Sequence, residues 1–147
     1  MEPAIRDPLV NALRSARRPS LDAAEGVVAA GLAAGRLAIG AGIWLAPRPT
    51  LRALGLGELD AAALTLARIA ATRDLALGAW MASAAGDRRA LQAPAVAVTA
   101  CDGGDALAFA LLARRGGDAA GAGLRGLSAA APATVAGLWL LKRLREA

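Results

Sequence analysis

The sequence has no histidine and no tyrosine, and it has only one cysteine and one phenylalanine. Imidazoles and paired thiols are the usual protein ligands of zinc and haem, so neither group finds a ligand set here. A lone thiol, Cys101, cannot close an intrachain disulfide or make a CxxC redox pair, and it reads as a small packing residue. No cofactor, no metal site and no catalytic residue is therefore expected, and an enzymatic role is disfavoured. Lysine is nearly missing too, with sixteen arginines to one lysine, and together with the alanine excess this suggests a GC-rich bacterial genome.

Polar side chains able to coat a soluble helix are equally scarce. Hydrophobic residues make up 56% of the 147 positions, mean hydropathy is +0.45, and aromatics are 3%. Residues 27–46 offer solvent only Arg36, and residues 128–141 only Ser128 and Thr134. A helix that is apolar all round must be buried, either in lipid or in a large core. One domain of this length has no large core to supply. The reading that follows is an all-α fold, a four-helix transmembrane bundle with antiparallel neighbours. Its partners would be the lipid bilayer and a membrane protein or a second copy of the chain. A soluble, oligomerising Ala-rich bundle is the alternative, because Ala and Gly contribute little to insertion.

The +5 net charge does not indicate nucleic acid, because the basic residues cluster at segment ends rather than along one stripe. Residues 1–22 form a polar leader in which Leu9, Val10, Leu13 and Ala16 could share one face of an interfacial helix opposite Arg14, Arg17 and Arg18. The membrane domain covers 23–143, and 144–147 is a short tail. Helices are predicted at 25–46, 59–85, 91–113 and 126–141. Pro47 ends the first, 51–57 is a turn at the interface, Pro94 lies in the first turn of the third, and 115–125 is a Gly-rich loop from which 121–124 could extend the last helix. Pro132 is expected to bend the last helix. The N-terminus, second loop and C-terminus hold nine Lys/Arg against five in the other two loops, which places both termini in the cytoplasm of a bacterial inner (cell) membrane protein. Trp44, Trp80 and Trp139 fall near helix ends, as interfacial anchors do. Small residues four apart, Gly31 with Gly35, Ala34 with Ala38 and Gly42, and Ala129 with Ala133 and Gly137, would allow close helix contact.

Against this apolar background stand six charges inside the hydrophobic stretches: Arg36, Arg68, Arg73, Asp74, Asp102 and Asp105. A charge at the centre of a spanning helix costs about 2.5–3.5 kcal/mol on the insertion scale, so such groups face a protein interior and pair. The third helix carries two aspartates that its apolar residues cannot offset, so it needs its arginine-bearing neighbours. Three arginines against three aspartates sum to zero. By depth, the expected pairs are Arg36 or Arg73 with Asp102, Arg68 with Asp105, and Asp74 with Arg36. Such a network either fixes helix register or lines a polar cavity for a small ligand, a quinone head group or a proton path.

Gly35-Arg36-Leu37, Leu45-Ala46-Pro47-Arg48, Leu54-Gly55-Leu56, Arg73-Asp74-Leu75-Ala76-Leu77-Gly78 and Asp102-Gly103-Gly104-Asp105 together resemble a family of small bacterial membrane proteins. That family is a domain of unknown function, loosely grouped with the DoxX-like proteins, and the resemblance covers about residues 25–141. It implies four transmembrane helices and no established activity. DoxX proteins proper are associated with membrane redox complexes and quinones, which suggests an accessory subunit of a redox or envelope complex. A small-solute or proton carrier using Asp102 and Asp105 is the other function compatible with the same residues.

Overall fold

The structure is a computed structural model that describes residues 20–57 and 59–146. The leader helix suggested by Leu9, Val10, Leu13 and Ala16 lies outside the described residues. Five helices follow one another: α1 Ala23–Leu45, α2 Pro47–Ala53, α3 Ala61–Ser83, α4 Arg88–Ala113 and α5 Gly117–Arg145. No strand occurs among the described residues.

Local chemistry sets most of the boundaries. Asp22 caps α1 by accepting from the Glu25 amide at 2.8 Å, while Glu25 accepts from the Asp22 amide at 3.0 Å. This reciprocal capping box satisfies two amides that the first turn leaves unpaired. α1 stops at Leu45 because Ala46, the residue before Pro47, is pushed out of helical geometry. Pro47 then opens α2, where a missing N–H costs nothing. Asp60 and Asp87 cap α3 and α4 with their side chains alone, since alanine stands three residues on in each case.

Two expectations from the sequence are corrected here. The 115–125 segment is not a loop: apart from its first two residues it forms the opening turns of a 29-residue helix, α5. Glycine lowers helix propensity, but tertiary packing outweighs that when the glycine is the contact. A Cβ on Gly123 would sit 2.4 Å from the Ala113 amide nitrogen, and one on Gly126 would sit 2.2 Å from the Phe109 ring. α4 and α5 can therefore touch along this stretch only through glycines. Second, α4 begins at Arg88, so Pro94 lies in its second turn and not its first. Pro94 is almost wholly buried, and its ring packs in the core without ending the helix.

The helices associate in two pairs, α1 with α3 and α4 with α5. Gly40 and Gly78 bring the first pair together, where an added Cβ would lie 2.8 Å from the Ala71 carbonyl and 3.0 Å from the Ala33 carbonyl respectively. The small-residue contact thus uses Gly40 and Gly78, whereas Gly31 and Gly35 have open space around them. At one end of the bundle the pairs close on a shared apolar core that includes Ala33, Met81, Leu91, Val98 and Leu140. At the opposite end a second cluster, built on Ile43, Leu51 and Ala71, joins only α1, α2 and α3. The pairs are sealed at the first end and spread at the second.

Three helices are long and apolar enough to cross a membrane: α1, α4 and the Ala119–Arg145 part of α5. α3 does not meet that criterion, since Arg68, Arg73 and Asp74 lower its hydropathy. Large apolar side chains nonetheless point outward from all four long helices. Val27, Leu45, Leu66, Ile69, Leu107 and Val135 are each more than 60% exposed. An apolar surface that wraps every long helix is far larger than a single docking patch.

The sealed end carries an ionic clamp that the sequence reading did not identify. Glu25 is fully buried and accepts from Arg88 Nη1 at 2.7 Å, with Arg143 Nε at 3.7 Å. Arg143 also reaches Asp22 at 2.9 Å, and Arg88 donates to the Arg143 carbonyl. The starts of α1 and α4 are thereby bound to the end of α5. The Glu25 amide, and then the Arg143 guanidinium, hold the exposed Asp22 carboxyl below its ordinary value of 3.8. A group lowered in the folded state stabilises it above the unfolded value, and that stabilisation disappears as pH falls through the folded value. Asp22→Asn, which keeps a capping side chain, should lower the thermal midpoint at neutral pH. The gap from the native chain should close progressively below pH 3.8.

Candidate functional site

Helical geometry decides which of the six charges meet. Arg36 lies on the face of α1 turned inward, and its guanidinium spans two helices: Nη1 donates to Asp74 of α3 and Nη2 to Asp102 of α4, both at 2.5 Å. Nη2 also donates to the Val98 carbonyl at 3.1 Å. Arg73 of α3 forks onto Asp105 of α4, at 3.2 Å from Nη1 and 2.7 Å from Nη2, and its Nη2 also lies 3.3 Å from Asp74. The result is one chain of ion pairs, Asp102–Arg36–Asp74–Arg73–Asp105, linking the two helix pairs at mid-depth. Asp102 and Asp105, three apart on α4, present both carboxylates to one side.

Arg68 is not part of this chain. Its guanidinium stacks 5.5 Å from the centroid of the Trp44 ring on α1, and among the described residues it makes no ion pair. The expected Arg68–Asp105 pair is therefore replaced by Arg73–Asp105. The reason is angular: five residues at about 100° each put positions 68 and 73 about 140° apart around α3. Once Arg73 faces α4, Arg68 must face elsewhere. Without Arg68 the connected cluster holds two guanidinium groups and three carboxylates, so its formal charge is −1 rather than zero.

Burial is graded along the cluster. The Arg36 side chain is 7% exposed, Asp102 12% and Asp74 14%, whereas Arg73 and Asp105 reach 37% and 36%. The four Nη nitrogens all donate to carboxylates or a carbonyl, and each guanidinium keeps Nε–H and one Nη1–H unpaired. On the acceptor side, Asp102 Oδ2 is buried and has no hydrogen-bond partner.

Above the cluster, where the helix pairs spread, lies a cavity of about 410 Å³. Its polar surface is the five clustered residues, and its walls are apolar. Ile39 and Ile43 come from α1, Leu51 from α2, Phe109 from α4 and Ala130 from α5, with Leu54 and Leu56 from the turn after α2. Gly31 and Gly35 also line it, and neither has an atom within 4 Å of its Cβ position. Arg125 on α5 donates to the Gly55 carbonyl at 3.2 Å, which ties that turn to the second helix pair. Among the described residues no group of His, Cys, Asp and Glu is arranged to hold a metal ion, and Cys101 is free. A polar floor under apolar walls matches the usual character of small-molecule sites, in which a few polar groups orient a mostly apolar guest. No protein-family model, curated protein or solved structure matches this chain.

Proposed function

We propose that the chain is a four-helix integral protein of the bacterial inner membrane, both termini cytoplasmic, that binds a small amphipathic molecule between its two helix pairs without transforming it. The single observation that carries this reading is the apolar-walled cavity closed at its base by the ionic cluster. A soluble bundle would need polar outer faces, and the large apolar side chains around all four long helices argue against one. α3 crosses as the fourth span because Asp74 and Arg73 are matched by neighbours. Its 23 residues extend about 34 Å, which suffices for a hydrocarbon core of about 30 Å. The DoxX-like resemblance belongs to the same proposal and rests on the motifs alone.

An accessory subunit of a redox or envelope complex needs only a helical surface, whereas a carrier needs a chamber. The chamber favours the carrier. In the full chain purified in a nonionic detergent, a naphthalene-sized fluorophore should bind saturably at one site per chain. Gly35→Leu would place a side chain in the cavity without disturbing the ion pairs, and should abolish that binding while leaving the protein folded. Binding unchanged by Gly35→Leu would assign the fluorophore to the outer surface and remove this reading.

A further inference from the structure

We propose that the cavity selects a lipophilic organic cation, an amine or quaternary ammonium on an apolar body, and that this cation displaces a proton from the carboxylate cluster. The inference rests on the binding role just given and adds the charge and chemical class of the guest. Its basis is the charge count at the cavity floor. The charged groups that line the cavity are Arg36, Arg73, Asp74, Asp102 and Asp105, and they sum to −1. An isolated charge out of water is expensive, so the site holds one further positive charge. Either a proton sits on a carboxyl group or a cationic guest takes its place.

Hydrogen-bonding capacity points the same way. An anion or a quinone carbonyl would need an open guanidinium fork, and both N–H groups of each Nη2 are already given to carboxylates or a carbonyl, so neither fork edge is open. What the cluster lacks is positive charge, because three carboxylates line the cavity beside two guanidinium groups. Asp102 is only 8% exposed, lines the cavity, and leaves Oδ2 without a partner. Asp105, three residues on along the same helix, is the most exposed of the three carboxylates. An ammonium group at the floor would meet these two carboxylates, while its apolar substituents would lie against Ile39, Ile43 and Phe109.

The proton balance is simple: one cation enters, one carboxyl O–H bond breaks, and the proton leaves to water. Because the carboxylates share two arginines, the exchanged proton belongs to the cluster and not to one residue. The charged groups around Asp102 are Arg36 from α1, Arg73 and Asp74 from α3, and Asp105 from α4 itself. The cavity walls supplied by α2 and α5 carry no titratable group. Cation affinity should therefore rise about tenfold per pH unit while the cluster holds its extra proton, and level off once that proton is gone. Exchange of this kind would let a proton gradient drive the cation across the bilayer.

The test uses the full chain in nonionic detergent with three probes: benzyltriethylammonium, an uncharged carbon isostere of it, and benzenesulfonate. Equilibrium dialysis should show the ammonium binding at least ~10-fold more tightly than the isostere, with one proton released per cation in unbuffered solution. Asp102→Asn should remove both the preference and the proton release, and the more exposed Asp105→Asn provides the same readout if the first variant fails to fold. Gly35→Leu should remove binding of every probe. If the isostere binds as tightly as the ammonium, or benzenesulfonate binds best, the charge assignment falls while the cavity reading stands. If none of the three binds at any pH, the cation proposal and the binding role fall together.

Discussion

Arg36→Ala is expected to cost about 3–5 kcal/mol of stability, the usual penalty for leaving a buried charge without its partner. That corresponds to a fall of a few hundred- to a few thousand-fold in the ratio of folded to unfolded protein. Arg36 carries the largest share because, among the described residues, it alone joins α1 to both α3 and α4 by ion pairs. Its removal strands Asp102, and it leaves Asp74 with only the longer contact to Arg73. The loss should be read as reduced accumulation in membranes and as a lower midpoint for unfolding by an anionic detergent. The double variant Arg36→Ala/Asp102→Ala should cost clearly less than the sum of the single changes, because the second removes the group stranded by the first. Arg68→Ala, which gives up only a ring contact at the edge of the bundle, should cost less than ~1 kcal/mol. Equal losses at Arg36 and Arg68 would mean that the network does not hold the helix pairs together.

The second large effect is steric. Gly123→Ala adds one methyl group where the nearest atoms are the Ala113 amide nitrogen at 2.4 Å, the Ala113 Cα at 2.7 Å and the Phe109 carbonyl at 2.7 Å. These are backbone atoms, so no side chain can rotate away and α5 must shift from α4. Overpacking of this kind costs about 1–3 kcal/mol, and more where backbone must move. Gly31→Ala makes the opposite prediction, since nothing lies within 4 Å of that position. There the better helix propensity of alanine should add up to ~1 kcal/mol. Thermal unfolding of the two variants beside the native chain reads both signs in one experiment. A neutral Gly123→Ala would mean that α4 and α5 do not meet through that glycine.

The contrast between these two glycines shows where the sequence was readable and where it was not. Regular four-residue spacing drew attention to Gly31 and Gly35, which face open space, and to Gly137, which does meet the Thr99 side chain of α4; other contacts that join helices fall on Gly40, Gly78, Gly123 and Gly126. In a chain this rich in glycine, spacing cannot distinguish a packing position from one facing a cavity. Only the partner helix decides that. The convergence of charges was legible because insertion energetics force such groups to pair, and Arg36, Arg73, Asp74, Asp102 and Asp105 do come together. Depth assigned Asp105 to Arg68 and Asp102 to Arg36 or Arg73, whereas Arg73 takes Asp105 and Arg36 takes Asp102. The angular separation of Arg68 and Arg73 on α3 was available in the sequence and allows only one of them to face α4, but which one is set by the packing. The Glu25 clamp was half visible: Asp22-x-x-Glu25 is a capping-box pattern, but nothing local indicates that Arg88 and Arg143 converge there. The cavity was not legible, because it depends on how far the glycine contacts let the two pairs spread.

The insertion of α3 tests the proposed arrangement most directly, since that helix falls short of the apolar character that α1, α4 and α5 reach, and on this proposal crosses only with its neighbours. A single cysteine at Ala61 or at Ala85, both exposed at opposite ends of α3, can be introduced with Cys101→Ala and probed in sealed right-side-out vesicles with a membrane-impermeant thiol reagent. The expected result is labelling of position 61 from outside, with position 85 protected until the vesicles are opened. Labelling of both positions from the same side would contradict a spanning α3, and with it the ionic cluster as the means by which that helix crosses.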